Sequence, residues 1–373
     1  IQEMARKFAQ SELKPLAAAW DRGEKQDVFL ERLNDLAQLG FMGLNTHAEY
    51  GGTEAGAVAF SLAVKEIARG CASTAVTMSV TNMVGEVIQA IGSEEQKASY
   101  LPKLCSGEYT AGAFCLSYVG AGSDPASMKT SAVRDADDWV LNGTKMWISS
   151  AEYAGIYVVW AVTDPSLPKG KGISCFLIEA NTPGLIIGPR EHKMGQMASA
   201  TNSVTLENCR IPADALLGDL NDGYRVAVKE LAGGRIGIGA LALGIAREAM
   251  DFARAYTTER KQFNRIISDF QAIQWMLADA YTELEASELL LMNAAFLIES
   301  GRAFTKQAAM AKVYATEAAN RACYTALQLM GGSGYTAEYP LERHARDVRV
   351  TTIYEGTSEI QRLIIARELL KEI

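Results

Sequence analysis

The sequence predicts an α+β multidomain chain: a helical domain over 1–110, a β domain over 111–217 and a helical bundle domain over 218–373. Three observations predict it. Apolar residues recur at three and four in the first segment. β-Branched and aromatic runs bounded by turn residues fill the second. Long stretches without glycine or proline return in the third, as from Phe270 to Ile298.

In the first segment, Phe29, Leu33, Leu36 and Leu39 form one helical stripe, and Gly51-Gly52 and Gly92 punctuate it. Helical patterning stops in "LPKLCSGEYT", at 101–110. In the second, "WVLNGTKMWIS" carries Asn142-Gly143, which predicts a hairpin turn. "GIYVVWAVT", "GISCFLIEA" and "NSVTLENCRIP" read as strands. In the third, Ile273, Met276, Leu277, Ala280, Tyr281 and Leu284 step along one helix face. Several helices of this length suggest a bundle.

Composition narrows the function. The chain has 373 residues, 49% of them apolar, and a net charge of −8. With no basic run, nucleic acid is not an expected partner. No stretch of about 18 apolar residues is present, so no membrane span is expected. No signal peptide is visible, and a chain starting at Ile1 is expected to lack a short N-terminal piece. The six cysteines are scattered and never form C-x-x-C, which predicts reduced core thiols in a cytoplasmic or mitochondrial-matrix-like compartment. The three histidines lie far apart, so no metal site is expected. No G-x-G-x-x-G after a strand, P-loop, G-x-S-x-G or H-E-x-x-H occurs.

The positive signals are individually weak. "VGAGSD" (119–124) offers backbone N–H groups and a hydroxyl to a phosphate, or is a plain loop. "KMWISS" (145–150) places Trp147 beside hydroxyls, suited to a flat heterocycle or to a half-buried strand. "LQLMGGSGY" (327–335) ends a helix at Gly331-Gly332, a common C-cap. "ERKQF" (259–263) reads as an exposed charge cluster. Finally, Glu355 stands between Tyr354 and Gly356, just before a helix-starting Thr-Ser-Glu.

Their joint order is specific. "GAGSD", "WIS", "RKQF", "QLMGG", Arg346-Asp347 and "EGTSE" follow one another as in the acyl-CoA dehydrogenase flavoproteins, which this sequence resembles over essentially its full length. The resemblance implies a middle domain that is a β-barrel or sandwich and a C-terminal four-helix bundle. It implies FAD as cofactor and Glu355 as the base that takes the α-proton of an acyl-CoA thioester. The Glu355 N–H and a flavin hydroxyl would stabilise the enolate-like oxygen, while the β-carbon gives hydride to the flavin. By position, Leu116, Ser117, Gly122 and Ser123 contact the flavin and its phosphates, with Ser123 also near the CoA arm. Trp147, Ile148 and Ser149 lie against the flavin ring, and Thr357, Ser358 and Glu359 against its nucleotide. Arg235 and Gly356 lie at the substrate. Arg260, Phe263, Phe270, Gln271, Gln328, Gly331 and Gly332 correspond to residues that touch a neighbouring subunit's flavin. A homotetramer, built as a dimer of dimers, follows from that, with an electron-transfer flavoprotein as electron acceptor.

Some positions depart from the family pattern. Tyr118-Val119 replaces a Glu-Pro, and the loop backbone is expected to survive because glycines follow. Asn264 replaces a glycine and tolerates positive φ. Ala232 replaces an aspartate. Gly234 stands where some relatives carry the base, leaving Glu355 as the candidate. The run "GGRIGIGALALGIA" is closest to short-chain members, so a short, branched or cyclic acyl group is expected. Met83, Val84, Val87 and Ile88 are expected to wall the acyl pocket. An enoyl-CoA reductase on the same scaffold, or an inactive CoA-binding protein, are the competing readings.

Overall fold

The computed structural model describes residues 1–371. The expected helix–sheet–helix order holds. Helices α1 (Gln2–Phe8), α2 (Ala17–Asp21), α3 (Gln26–Gln38), α4 (Gly56–Gly70), α5 (Ala72–Ile91) and α6 (Glu94–Ser106) come first. Phe29, Leu33 and Leu36 bury one face of α3, while Leu39 lies half out. Every residue of α5 from Ala72 to Gly85 is buried, so this helix is enclosed on all sides. Asn82 fixes the segment before it: its Oδ1 accepts from Leu44 N–H, and its Nδ2 donates to the Phe41 carbonyl. Ser93 and Gln96 form a capping box at the start of α6, and Gly107 ends it at φ +80°.

The sheet contains β1 (Ala111–Cys115), β2 (Ser131–Asp135), β3 (Asp138–Ser149), β4 (Ala154–Val162), β5 (Ile173–Glu179), β6 (Leu185–Arg190), β7 (Thr201–Pro212) and β8 (Leu216–Leu217). Their order is β6-β7-β3-β2-β4-β5-β8, with β1 parallel to β4. Side chains alternate along a strand, so β4 feeds two cores. Tyr157, Val159 and Ala161 join Trp139 and Phe176 on one face. Val158 and Trp160 join Val84, Val87, Ile88, Leu101 and Leu104 of α5 and α6 on the other. This second face docks the sheet on the helices.

Two expectations are corrected here. Asn142-Gly143 is no hairpin turn: β3 runs through it, with a bulge opposite β7. Gly143 is needed because a Cβ there would stand 2.7 Å from Thr130 Cα. The turn falls instead at Ala136, φ +53°, between β2 and β3. Val84, Val87 and Ile88 are fully buried in the core shared with the sheet, which leaves them no open face toward an acyl pocket, whereas Met83 belongs to the helical core.

Then follow α7 (Gly223–Glu259), the hairpin β9 (Lys261–Gln262) and β10 (Arg265–Ile266), α8 (Gln271–Glu299), α9 (Thr305–Met330), α10 (Leu341–Arg349) and α11 (Ser358–Leu370). Small residues let the helices approach closely: Ala311, Ala315 and Ala319 of α9 are fully buried in the core shared with α7. Arg346 pairs with Asp21 and Glu342, and Asp347 Oδ1 accepts from Gln196 N–H, so this pair ties the three regions together. All six cysteines are free and buried, as expected of core thiols. No metal-binding group of side chains occurs among the described residues, and no helix there is long and apolar enough to cross a membrane.

Candidate active site

The site is built around the short loop between α10 and α11. Thr357 caps α11 by accepting from Ile360 N–H at 3.3 Å, so the helix starts immediately after Glu355-Gly356. Glu355 itself has φ +51°, and Gly356 has φ +90°. A left-handed conformation costs a non-glycine residue roughly 1–2 kcal/mol. It persists because neighbours over-determine it. Lys312 of α9, fully buried, donates from Nζ to the Tyr354 carbonyl at 3.2 Å and the Gly356 carbonyl at 2.8 Å. Gln361, also fully buried, donates to the Glu355 carbonyl at 3.3 Å and the Gly356 carbonyl at 2.9 Å.

This conformation turns the Glu355 side chain toward the crossing of α5 and α7. A Cβ on Gly234 would lie 2.6 Å from Glu355 Oε2 and 2.9 Å from Met83 Sδ. Glycine at 234 therefore makes room for the carboxyl. Glu355 Oε2 is buried and has no hydrogen-bond partner. Burial pushes this carboxyl up to about 7, against the opposing pull of Lys312 and Arg235. Arg235 is 5% exposed with its Nε unpartnered, and burial lowers it to about 10 although Glu355 favours its charge. Burial likewise lowers Lys312 to about 8.

The α5–α7 crossing continues on both sides of Glu355. Toward the closed end, a Cβ on Gly237 would meet Ser79 Oγ at 2.5 Å and the Phe60 ring at 3.3 Å. Toward the open end lie half-buried Glu86 and Glu230. Asn45 Nδ2 donates to Glu86 Oε1. Burial first, then Glu230 and Glu355, push Glu86 up to about 7 against that hydrogen bond.

The sheet domain carries a second set of expected residues. Ser117 O accepts from Met146 N–H at 3.1 Å, joining the segment after β1 to the strand bearing Trp147. Trp147 has φ +63° and is 60% exposed, with Ser149 two residues on. Ile148 and Leu116 point into the sheet's cores, so only their backbones are available to a ligand. Tyr118 and Ala121 close a tight turn, and Gly122 and Ser123 follow it in the open. Tyr118-Val119 themselves sit in this turn. Gln196 of the loop before β7 reaches the Tyr354 hydroxyl at 3.2 Å, locking sheet to loop.

These groups fit a flavin dinucleotide. An exposed indole stands beside hydroxyls, and nothing lies within 4 Å of a Cβ on Gly122. Ser358 Oγ is buried and unpartnered at the N-terminus of α11, where anions are favoured, with Thr357 and exposed Glu359 on either side.

A third set lies elsewhere. Phe263 and Asn264 both take positive φ in the turn of the β9–β10 hairpin, as the asparagine predicts. Phe263 is 88% exposed, stands edge-on to Phe270, and adjoins Arg260 and Gln271, which are also exposed. Gln328 and the Gly331-Gly332 turn share this end of the bundle, since Ser333 Oγ lies 3.5 Å from the Tyr256 hydroxyl on the last turn of α7. Arg260, just past the end of α7, is 25 residues beyond Arg235, about 38 Å along the helix axis. One chain does not bring this set to Glu355.

Residues 1–108, 113–209 and 221–370 match the families described as the N-terminal, middle and C-terminal domains of acyl-CoA dehydrogenase. Over 371 residues the chain is 44% identical to short/branched chain specific acyl-CoA dehydrogenase, mitochondrial, of Rattus norvegicus, covering 99% of this chain and 84% of that protein. It is 42% identical to acryloyl-CoA reductase (NADH) of Anaerotignum propionicum, covering 100% and 94%. Butyryl-CoA dehydrogenase from Megasphaera elsdenii superposes with a TM-score of 0.95 at 36% identity, covering 99% and 97%. This chain belongs to the acyl-CoA dehydrogenase family, whose members are FAD-dependent oxidoreductases.

The sequence reading missed Lys312, Gln361 and Glu86. A single lysine among the small residues of "AAMAKVYATEAA" was the available signal for the first.

Proposed function

We propose that the protein dehydrogenates a short, branched or cyclic acyl-CoA to its 2-enoyl-CoA, with Glu355 as base. It would do so as a homotetramer of chains divided at 110/111 and 217/218. The observation that carries this reading is the enclosed, unpartnered Oε2 of Glu355, set against Gly234. A carboxylate with one oxygen shut off from solvent and donors is a stronger base than one wholly in water. Arg235 and Lys312 keep it ionisable near neutral pH. The Glu355 N–H donates to the thioester oxygen as negative charge develops there. Gly356 leaves room for the thioester, and Ser123 lies toward the CoA arm. Leu116 to Ser123, Trp147 to Ser149 and Thr357 to Glu359 hold the cofactor of their own chain. Arg260, Phe263, Phe270, Gln271 and Gln328 to Gly332 hold that of a neighbour. FAD supplies the acceptor for the hydride lost by the β-carbon.

The short acyl preference is supported by the α5–α7 crossing, where Gly237, Ser79 and Phe60 leave little space beyond Glu355. An electron-transfer flavoprotein is the expected electron acceptor. A second reading has support in the 42% identity to an acryloyl-CoA reductase: the same groups run in reverse, with protonated Glu355 returning the proton. Anaerobic loss of flavin colour against straight, branched, cyclic and dicarboxylic acyl-CoAs tests the proposal. We expect an optimum at roughly four to seven carbons, since each CH₂ is worth about 0.8 kcal/mol only while it finds room. An optimum at about ten carbons or longer would contradict the wall.

A further inference from the structure

We propose that Lys312 is a positioning residue that aims and polarises the Glu355 N–H toward the thioester oxygen; this rests on the functional reading above. No cis peptide bond occurs among the described residues. In a trans amide the C=O and the N–H of the next residue point in opposite directions. The Tyr354 carbonyl points at Lys312 Nζ, 3.2 Å away. The N–H of that same peptide unit belongs to Glu355, so it points away from Lys312.

No described residue accepts a hydrogen bond from Glu355 N–H, although the carbonyls of Tyr354, Glu355 and Gly356 are all held by Lys312 or Gln361. Every acceptor of this loop is thus gathered on one side, and the Glu355 donor is left on the other. In this half-buried loop the free N–H is open to an acceptor on a ligand.

The charge matters as well as the direction. An ammonium donating to an amide oxygen draws electron density from the amide and strengthens its N–H as a donor. Lys312 is fully buried and makes no ion pair within 4 Å among the described residues, so its charge is spent on these two carbonyls. Charged groups around it are Glu355, Arg235, Glu359 and Glu317. A lysine serving only to brace the loop would need no charge, since Gln361 makes the same kind of bond with a neutral amide.

The test compares two CoA ligands on the FAD-loaded protein by calorimetry. Acetoacetyl-CoA binds as an enolate with negative charge on its oxygens. S-butyl-CoA, a thioether, has no carbonyl at all. In Lys312→Met and Lys312→Gln we expect acetoacetyl-CoA to lose about tenfold in affinity, a fraction of the 10²–10³ seen when an oxyanion donor is removed outright. S-butyl-CoA should stay within about twofold and flavin content should not change. If Lys312→Met does not fold, Lys312→Gln, which retains a donor without charge, decides. Equal losses for both ligands, or no loss for either, would overturn the role of Lys312. If the unmodified protein binds neither ligand, the functional reading beneath it fails instead.

Discussion

Substituting Gly234 by alanine separates catalysis from stability more cleanly than changing any charged residue here. Gly234 lies inside α7 without positive φ, so the helix itself accepts alanine. Relief of glycine's backbone entropy favours Gly234→Ala by about 0.5–1 kcal/mol. Against this, the new Cβ would stand 2.6 Å from Glu355 Oε2 and 2.9 Å from Met83 Sδ. A carbon–oxygen contact settles near 3.4 Å, so the carboxyl must retreat by about 0.8 Å. Both neighbours are the ends of flexible side chains, and the stability cost of overpacking should fall near the low end of about 1–3 kcal/mol. The two effects nearly cancel. Catalysis has no such compensation, because a displacement near 1 Å can cost about 10²-fold in rate, or about 2.7 kcal/mol in barrier. Thermal melting and anaerobic flavin reduction by butyryl-CoA, measured on one preparation, test this. We expect a melting point close to that of the unmodified protein and flavin reduction slower by about 10². Unimpaired reduction would refute the placement of Glu355 against Gly234.

Two further outcomes follow from the site. Burial raises Glu355 to about 7, and a base works ionised, so kcat/KM should rise with pH through about 7 and level off above it. A profile already flat from pH 5 upward would place the base elsewhere. Exposed Arg260 is assigned to a neighbour's cofactor, so Arg260→Ala should lose FAD on dialysis and weaken assembly, read by absorbance and by sedimentation. Full FAD retention would remove it from that role.

The helical periodicities and the β-branched runs announced the order of the three regions, because each depends on neighbours within a few residues. The Asn142-Gly143 error shows the limit of such reasoning. That dipeptide suits a hairpin, but β7 pairs on both sides of it, and tertiary pairing turned the same residues into a bulge. Three of the four expected pocket-wall residues went astray for a related reason, while Met83 does stand beside Glu355. A helix as apolar as α5 does not reveal which side faces which partner, and Val84, Val87 and Ile88 belong to the sheet's core. Glu355 was legible through its local setting between Tyr354 and Gly356. Lys312 was not, since its partners lie 42 and 44 residues away and its own helix reads as ordinary. Gly234 was read as a position lacking a base, whereas the structure makes it the space that the Glu355 carboxyl occupies.

The most direct test of the central claim is flavin reduction by Glu355→Gln. Glutamine preserves shape and the Glu355 N–H but cannot accept the α-proton. The account predicts a folded protein with full FAD occupancy that binds acyl-CoA, while anaerobic flavin reduction falls by about 10²–10⁴ or more. Near-normal reduction in Glu355→Gln would contradict the assignment of the base.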